Sequence, residues 1–206
     1  MEAFRTLAAP AEAEIREKGS RFYARAEPVT DRAAAEAYCA AQARAHRDAT
    51  HVVPAFRLHD GTDYASDAGE PAGSAGPPLL QALRGAGLHD VAAVVVRWYG
   101  GTNLGIGGLV RAYSGVLAAA LADAPVRAAT AAVRLTVRHD HDRTSAVLRT
   151  VAAFGGQDLE RTYADDVTCT FTLPASSAER FRAALRDATA GTVEATEAGT
   201  AVIYGV

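Results

Sequence analysis

Apolar residues run almost unbroken from Val91 to Val96, and the segment then continues Arg97-Trp-Tyr-Gly-Gly-Thr-Asn-Leu-Gly-Ile-Gly-Gly-Leu-Val-Arg-Ala-Tyr113. A continuous apolar run bounded by glycine predicts a strand buried on both faces. Beyond it Leu109, Tyr113, Val116, Leu117, Ala120 and Leu121 recur at spacings of three and four, which predicts a core-facing helix. Between strand and helix lie Gly100, Gly101, Gly105, Gly107 and Gly108. Glycines at this density allow tight turns and expose backbone N–H groups at a helix N-terminus, where an anion is favoured.

The pattern elsewhere is weaker but orderly. Residues 1–18 are rich in alanine and glutamate and are expected to run over the surface. A strand is predicted over 20–28 and stopped by Pro28, followed by a helix over 31–46 capped by Thr30 or Asp31. His51–His59 reads as a strand, with Pro54 placing part of it at an edge or bulge, and Asp60-Gly61 turns it into a short strand near 62–65. Ser66–Gly76 is a second glycine-rich loop, and Pro77-Pro78 suits the first turn of a helix carrying Leu79, Leu80 and Leu83. Pro125 breaks the chain, and Val126–Thr130 reads as a connector.

From there the order is strand 132–139, helix 143–154, strands 158–164 and 167–173, helix 176–190 and strand 193–204. Asp140 or Asp142 is expected to cap the first of these helices, and Ser176 or Ser177 the second. A β-α-β-β-α-β sequence is the ferredoxin-like arrangement. The fold class is therefore α+β in two domains, an N-terminal α/β sandwich over 1–128 and a ferredoxin-like domain over 129–206.

Charge narrows the function classes. Residues 1–130 carry 13 basic and 14 acidic side chains, and residues 131–206 carry 8 and 10, so neither part has the bulk basicity of a protein that grips nucleic acid mainly through phosphates. All basic residues but Lys18 are arginine, which favours planar contacts with oxyanions. Cys39 and Cys169 are far apart and are expected as reduced, buried thiols. No apolar run approaches the roughly 20 residues of a membrane span, and Met1-Glu-Ala-Phe-Arg lacks the basic start and apolar core of a signal peptide. A cytoplasmic location follows as an expectation.

The chemistry concentrates in two loops. Backbone N–H groups of Gly105–Gly108, with Arg97 and Arg111 closing bidentately, would take an anion or phosphate. Tight packing of strand on helix is the plainer explanation, but five glycines in nine residues exceed what a turn needs. Neither a phosphate-binding Gly-Lys-Ser/Thr ending nor the dinucleotide Gly-x-Gly-x-x-Gly is present, since Val110 stands where the third glycine belongs. Asp67 and Glu70, with Ser74 and His51 nearby, would form a facing cleft wall; turn and cap roles explain Asp and Ser equally well. His46 with His51, and His139-Asp-His-Asp142, lack a clustered third ligand or sit at a junction where capping explains them. No catalytic residue, metal or cofactor is therefore assigned.

Lys18-Gly-Ser-Arg-Phe, the His46…His51 pair, Ser66-Asp-Ala-Gly-Glu-Pro-Ala-Gly-Ser-Ala-Gly and Val96-Arg-Trp-Tyr-Gly-Gly-Thr-Asn-Leu-Gly-Ile-Gly-Gly-Leu-Val-Arg-Ala-Tyr together resemble the IMPACT family, in its bacterial YigZ-like branch. The resemblance covers the chain in domain order. It implies an N-terminal domain with the fold of a ribosomal small-subunit protein domain, shared with elongation factor G and the GHMP kinases, and a ferredoxin-like C-terminal domain. It points to translation: eukaryotic relatives restrain a translation-control kinase, a role not carried over because the bacterial branch lacks that pathway. The family's usual Asp-Asp-Gly-Glu-Pro has Ala68 as its second residue here, which removes half of any paired-acid site.

The expected function is thus a non-enzymatic binding protein of translation, with weak or structure-selective contact to RNA or the ribosome. The alternative is an enzyme or binding protein for a phosphorylated small molecule or nucleotide at the glycine loop, although Thr102 is that loop's only hydroxyl.

Overall fold

The computed structural model describes residues 2–205. The chain divides into two compact units, Ala3–Ala128 and Ala129–Gly205, the second also taking Glu2.

The first unit contains β1 (Ala3–Leu7), β2 (Ala11–Glu17), β3 (Ser20–Pro28), α1 (Arg32–Ala45), β4 (His51–Arg57), β5 (Asp63–Ala65), α2 (Gly76–Gly85), β6 (Val91–Trp98) and α3 (Ile106–Ala122). Its sheet runs β2-β3-β6-β4-β5, antiparallel throughout. β6 is central and buried from Val91 to Arg97, as a strand covered on both faces must be. On one face Phe22, Ala24, Val53, Val91, Ala93 and Val95 meet Leu79 and Leu83 of α2 and Leu109, Tyr113, Val116 and Leu117 of α3. On the other, Phe56 and Ala92 meet Ala35 of α1. Each fully buried leucine or valine contributes about 1.5–3 kcal/mol of transfer free energy.

Residues 1–18 depart from expectation. They form β1 and β2, because Ala11, Ala13 and Ile15 alternate with Glu12, Glu14 and Arg16. Alanine is too weakly apolar for that period of two to stand out. The β2–β3 connection is a two-residue turn at Lys18 (φ 47°) and Gly19 (φ 83°), both left-handed, as a tight hairpin between right-twisted strands requires.

β7 (Val126–His139) begins in the first unit and continues into the second, where it is followed by α4 (Thr144–Ala153), β8 (Gln157–Tyr163), β9 (Val167–Pro174), α5 (Ala178–Ala188) and β10 (Ala195–Tyr204). Val126–Thr130 is thus the start of a strand, not a connector. The order β10-β7-β9-β8, all antiparallel, is the ferredoxin-like one. Leu135, Val137, Cys169, Phe171 and Leu173 pack under Val147 and Val151 of α4 and Phe181 and Leu185 of α5. The opposite sheet face carries threonines, with Thr136 Oγ1 3.1 Å from Thr170 Oγ1. The expected caps do not form. Short 3₁₀ turns at His141–Arg143 and Ala175–Ser177 lead into the helices, Asp140 and Ser177 make no capping hydrogen bond, and the Ser176 hydroxyl donates to Glu2.

Candidate functional site

Two loops meet at the C-terminal end of β6 and enclose a cleft of about 550 Å³. Its floor is an ion pair: Arg97 Nη1 donates to Glu70 Oε1 at 2.6 Å, with side chains only 6% and 3% exposed. The Tyr113 hydroxyl, from α3, donates to the same oxygen at 2.6 Å. Burial and the Glu70 acceptor push the Tyr113 phenol far above its ordinary value, so it stays a donor. His51 Nδ1 lies 2.9 Å from the Ala68 carbonyl, which can only accept, so the proton sits on Nδ1 and Nε2 is left facing Glu70 Oε1 at 3.8 Å.

The acidic loop is folded around Asp67. Its carboxylate accepts N–H bonds from Gly73 (2.8 Å), Ala75 (3.0 Å) and Gly76 (2.9 Å). Burial opposes ionisation there, but the three N–H donors outweigh it and hold the carboxyl below its ordinary value. These bonds also serve the N-terminus of α2, whose own cap position, Ala75, has no side-chain oxygen. Gly76 is packed so tightly that an added Cβ would stand 2.7 Å from the Ser66 carbonyl carbon. The rigid loop thereby carries Glu70 inward over the end of β6. Ala68 sits at φ 47°, its carbonyl on His51 and its methyl against the core.

The glycine loop divides by role. Gly100 is where backbones cross: an added Cβ would lie 1.9 Å from Gly19 C, and the Gly100 N–H donates to Ser20 Oγ at 3.2 Å. Gly101 and Gly105 hold φ angles of 86° and 71°. Gly105 caps α3 without a side chain, so the first N–H groups of the helix have no capping partner from that residue. Gly108 accommodates Leu104, against which a Cβ would stand at 2.9 Å, whereas at Gly107 a Cβ would make only ordinary contact, 3.5 Å from the Arg111 guanidinium.

Several expected residues are placed differently. His51, Glu70, Arg97 and Gly105 line the cleft. Asp67 and Ser74 are not its walls: Asp67 is turned onto its own loop, and the buried Ser74 hydroxyl donates to Pro71 O at 2.6 Å. Arg97 and Arg111 do not close on one anion, because Arg97 is held by Glu70 inside the cleft while Arg111 is exposed on α3 and outside its lining. His46 packs edge-on against Trp98 at 5.8 Å and shares no ligand position with His51.

Other contributors were not singled out in the sequence. Tyr99, 45% exposed, stands on the rim with its hydroxyl donating to Asn103 Oδ1 at 3.2 Å. Thr50 Oγ1 accepts the Tyr99 N–H at 3.0 Å. Tyr113 was visible only as one more member of an apolar helix period. In the second unit, Cys169 Sγ lies 3.7 Å from His139 Nε2, both buried, a partnership across 30 positions that sequence spacing does not signal. Burial raises the Cys169 thiol, which therefore stays protonated.

The Impact N-terminal domain profile matches residues 18–121, which contain both loops and the cleft. Over 198 residues the chain is 32% identical to IMPACT family member YigZ of Escherichia coli K12, covering 94% of this chain and 97% of that protein. The chain belongs to the IMPACT family. A second profile, of a domain of unknown function (DUF1949), matches residues 130–192. An IMPACT family member in the pol 5′ region of Thermus thermophilus is 49% identical over 109 residues, 52% of this chain and 57% of that one. A solved structure, described as that of a hypothetical protein, superposes with a TM-score of 0.72 at 32% identity, covering 95% of this chain and 97% of the other. Of the IMPACT motif residues quoted above, His51, Glu70, Arg97 and Gly105 line the cleft, and Gly19, Gly76 and Gly100 stand where backbones approach closely.

Proposed function

We propose that this IMPACT family member is a non-enzymatic binding protein of translation, which contacts RNA or a ribosomal component at the glycine-loop cleft. The observation that supports this reading is the pairing, on one rim, of a half-exposed aromatic ring with an open helix end. Tyr99 is 45% exposed, and beside it Ile106, 62% exposed, opens α3 above Gly105. The helix end attracts a phosphate oxygen, and the ring offers a stacking face to a base. Arg97 plays a different part from the one its sequence position suggests: neutralised by Glu70, it shapes the floor instead of adding net positive charge. Contact at such a site is weak and selective for shape, in keeping with a net charge of −3.

The test is cosedimentation with ribosomes and binding to structured ribosomal RNA, comparing the parent with Ile106→Glu and Tyr99→Ala. An acid in the first turn suits the helix dipole but repels phosphate, so Ile106→Glu separates folding from binding. Loss of binding in both variants, with unchanged melting temperature, is expected. Undiminished binding sinks the proposal.

A second reading is favoured by the size of the cleft. A cleft of about 550 Å³ lies within the range of small-molecule sites, so a phosphorylated metabolite or nucleotide would fit the same rim. A thermal-shift panel of nucleotides and phosphometabolites, with and without magnesium, distinguishes the two: a strong shift with one compound, abolished by Ile106→Glu, would replace RNA with that ligand.

A further inference from the structure

We propose that the open sheet face beside α1 is a contact surface for single-stranded RNA, centred on Arg16, Arg21 and Trp98. It rests on the RNA reading above but not on the cleft.

Register places the three residues in one row. Arg16 is opposite Arg21 across β2–β3, and Arg21 is opposite Trp98 across β3–β6. Residues two apart share a face, so this row lies on the face away from Phe22 and Ile15, which point into the core under α2 and α3. The Arg21 guanidinium lies 3.7 Å above the Trp98 ring. Asp48 Oδ2 accepts the indole N–H at 2.8 Å and fixes the ring plane, and His46 meets it edge-on.

The charges of the row are only partly balanced by the protein: Asp48, on the Trp98 indole, lies within the field of Arg21, but no carboxylate pairs directly with that guanidinium among the described residues. Like charges directly opposite one another are unfavourable in a sheet. Arg16, with its side chain 77% exposed, has only Glu14 at 4.0 Å. Arg21 makes no ion pair among the described residues, and its buried Nε has no hydrogen-bond partner. The next arginine on β3 is treated differently: Arg25 is held by Glu27 at 2.7 Å and Glu12 at 3.7 Å. Lys18 at the hairpin turn and Arg47 next to His46 add charge at the same end, while Glu17, opposite Ser20, belongs to the other face.

Two weakly compensated arginines, one of them stacked on tryptophan, match a flexible anionic strand. The stacked guanidinium offers a flat cation to a base and N–H groups to a phosphate. Duplex RNA hides its base faces, whereas a single strand presents them.

The experiment uses the full chain and a twelve-nucleotide oligouridylate at low salt. Trp98 is the only tryptophan, so its fluorescence reports this face directly. Quenching on titration is expected, with affinity at least tenfold lower in Arg16→Gln/Arg21→Gln. The salt slope should flatten by about 1.4, two phosphate contacts at roughly 0.7 each for a single strand. Arg16 is exposed and Arg21 half-buried over Trp98, so the circular dichroism spectrum and melting temperature of the double variant establish that it is folded. Unchanged affinity in the double variant, no binding by the parent, or tighter binding of duplex than of single strand overturns the proposal. Ile106→Glu run in parallel separates the two sites: loss only there supports the cleft and removes this surface, and loss only in the arginine variant does the reverse.

Discussion

Arg97 and Glu70 form a buried ion pair, 2.6 Å from Nη1 to Oε1, that joins the end of β6 to the acidic loop 27 positions earlier in the chain. A carboxylate this deeply buried is tolerated only with its partners in place, here Arg97 and the Tyr113 hydroxyl. Removing either end leaves a bare charge, which costs roughly 3–5 kcal/mol. Arg97→Met and Glu70→Gln are each expected to be strongly destabilising, and the double variant less so than the sum of the two. Urea unfolding in a double-mutant cycle measures this; strict additivity would show that the pair does not act as a unit.

That pair also marks how far the sequence could be read. β6 and α3 were legible because an unbroken apolar run and a period of 3.6 each have one economical structural meaning. The β-α-β-β-α-β order was legible for the same reason, since each element carries its own pattern and turn. β2 was not, because alanine and isoleucine alternating with glutamate and arginine give too small a contrast. The glycine loop marked the neighbourhood of the cleft, although only Gly105 of its five glycines lines it, and the partner of Arg97 was not legible. Choosing Glu70 over an anion depends on the Asp67 N–H bonds that fold the acidic loop inward, and those are made by backbone groups that composition does not reveal.

Gly100 and Gly101 are adjacent and should respond differently to the same substitution. At Gly100 a methyl group would overlap the Gly19 backbone at 1.9 Å, and backbone on both sides has little room to yield. Gly101 meets nothing within 4 Å, and its only demand is a φ of 86°. Gly101→Ala is expected to cost about 1–2 kcal/mol, the penalty of a left-handed residue with a Cβ. Gly100→Ala should exceed the roughly 4 kcal/mol that marks an exceptional point substitution. Denaturant melts of the two variants give the comparison; equal losses would mean the Gly100–Gly19 crossing is not tight.

Both thiols should be inert in the folded protein. Burial pushes Cys39 up to about 11 and also raises Cys169, which touches His139. At pH 8 that leaves about one Cys39 in a thousand as the reactive thiolate. Iodoacetamide followed by mass spectrometry should find neither residue labelled in the native protein within minutes, and both labelled in guanidinium. Rapid native labelling of Cys169 would contradict the buried pairing with His139.

His89 sets the pH dependence expected of the first unit. It is 8% exposed, and its Nδ1 is buried without a partner. Burial, then the charge of Arg57, lowers its affinity for a proton below the ordinary 6.5, against a weaker pull from Asp90 and Asp63. Well above 6.5 the ring is neutral whether the chain is folded or not, and it adds no pH dependence. As pH falls through 6.5 the unfolded chain takes up a proton that the folded one refuses, so stability declines until the lowered folded value is reached. Asp90 acts in the other sense: burial raises its carboxyl above 3.8, so the folded chain protonates first on acidification and stability is regained there. The His89 contribution is therefore read just below 6.5. His89→Leu should flatten the decline of urea midpoint with pH in that interval and leave the midpoint at pH 8 less affected than at pH 6. A slope identical to the parent's would show that His89 is protonated as readily inside the fold as outside it.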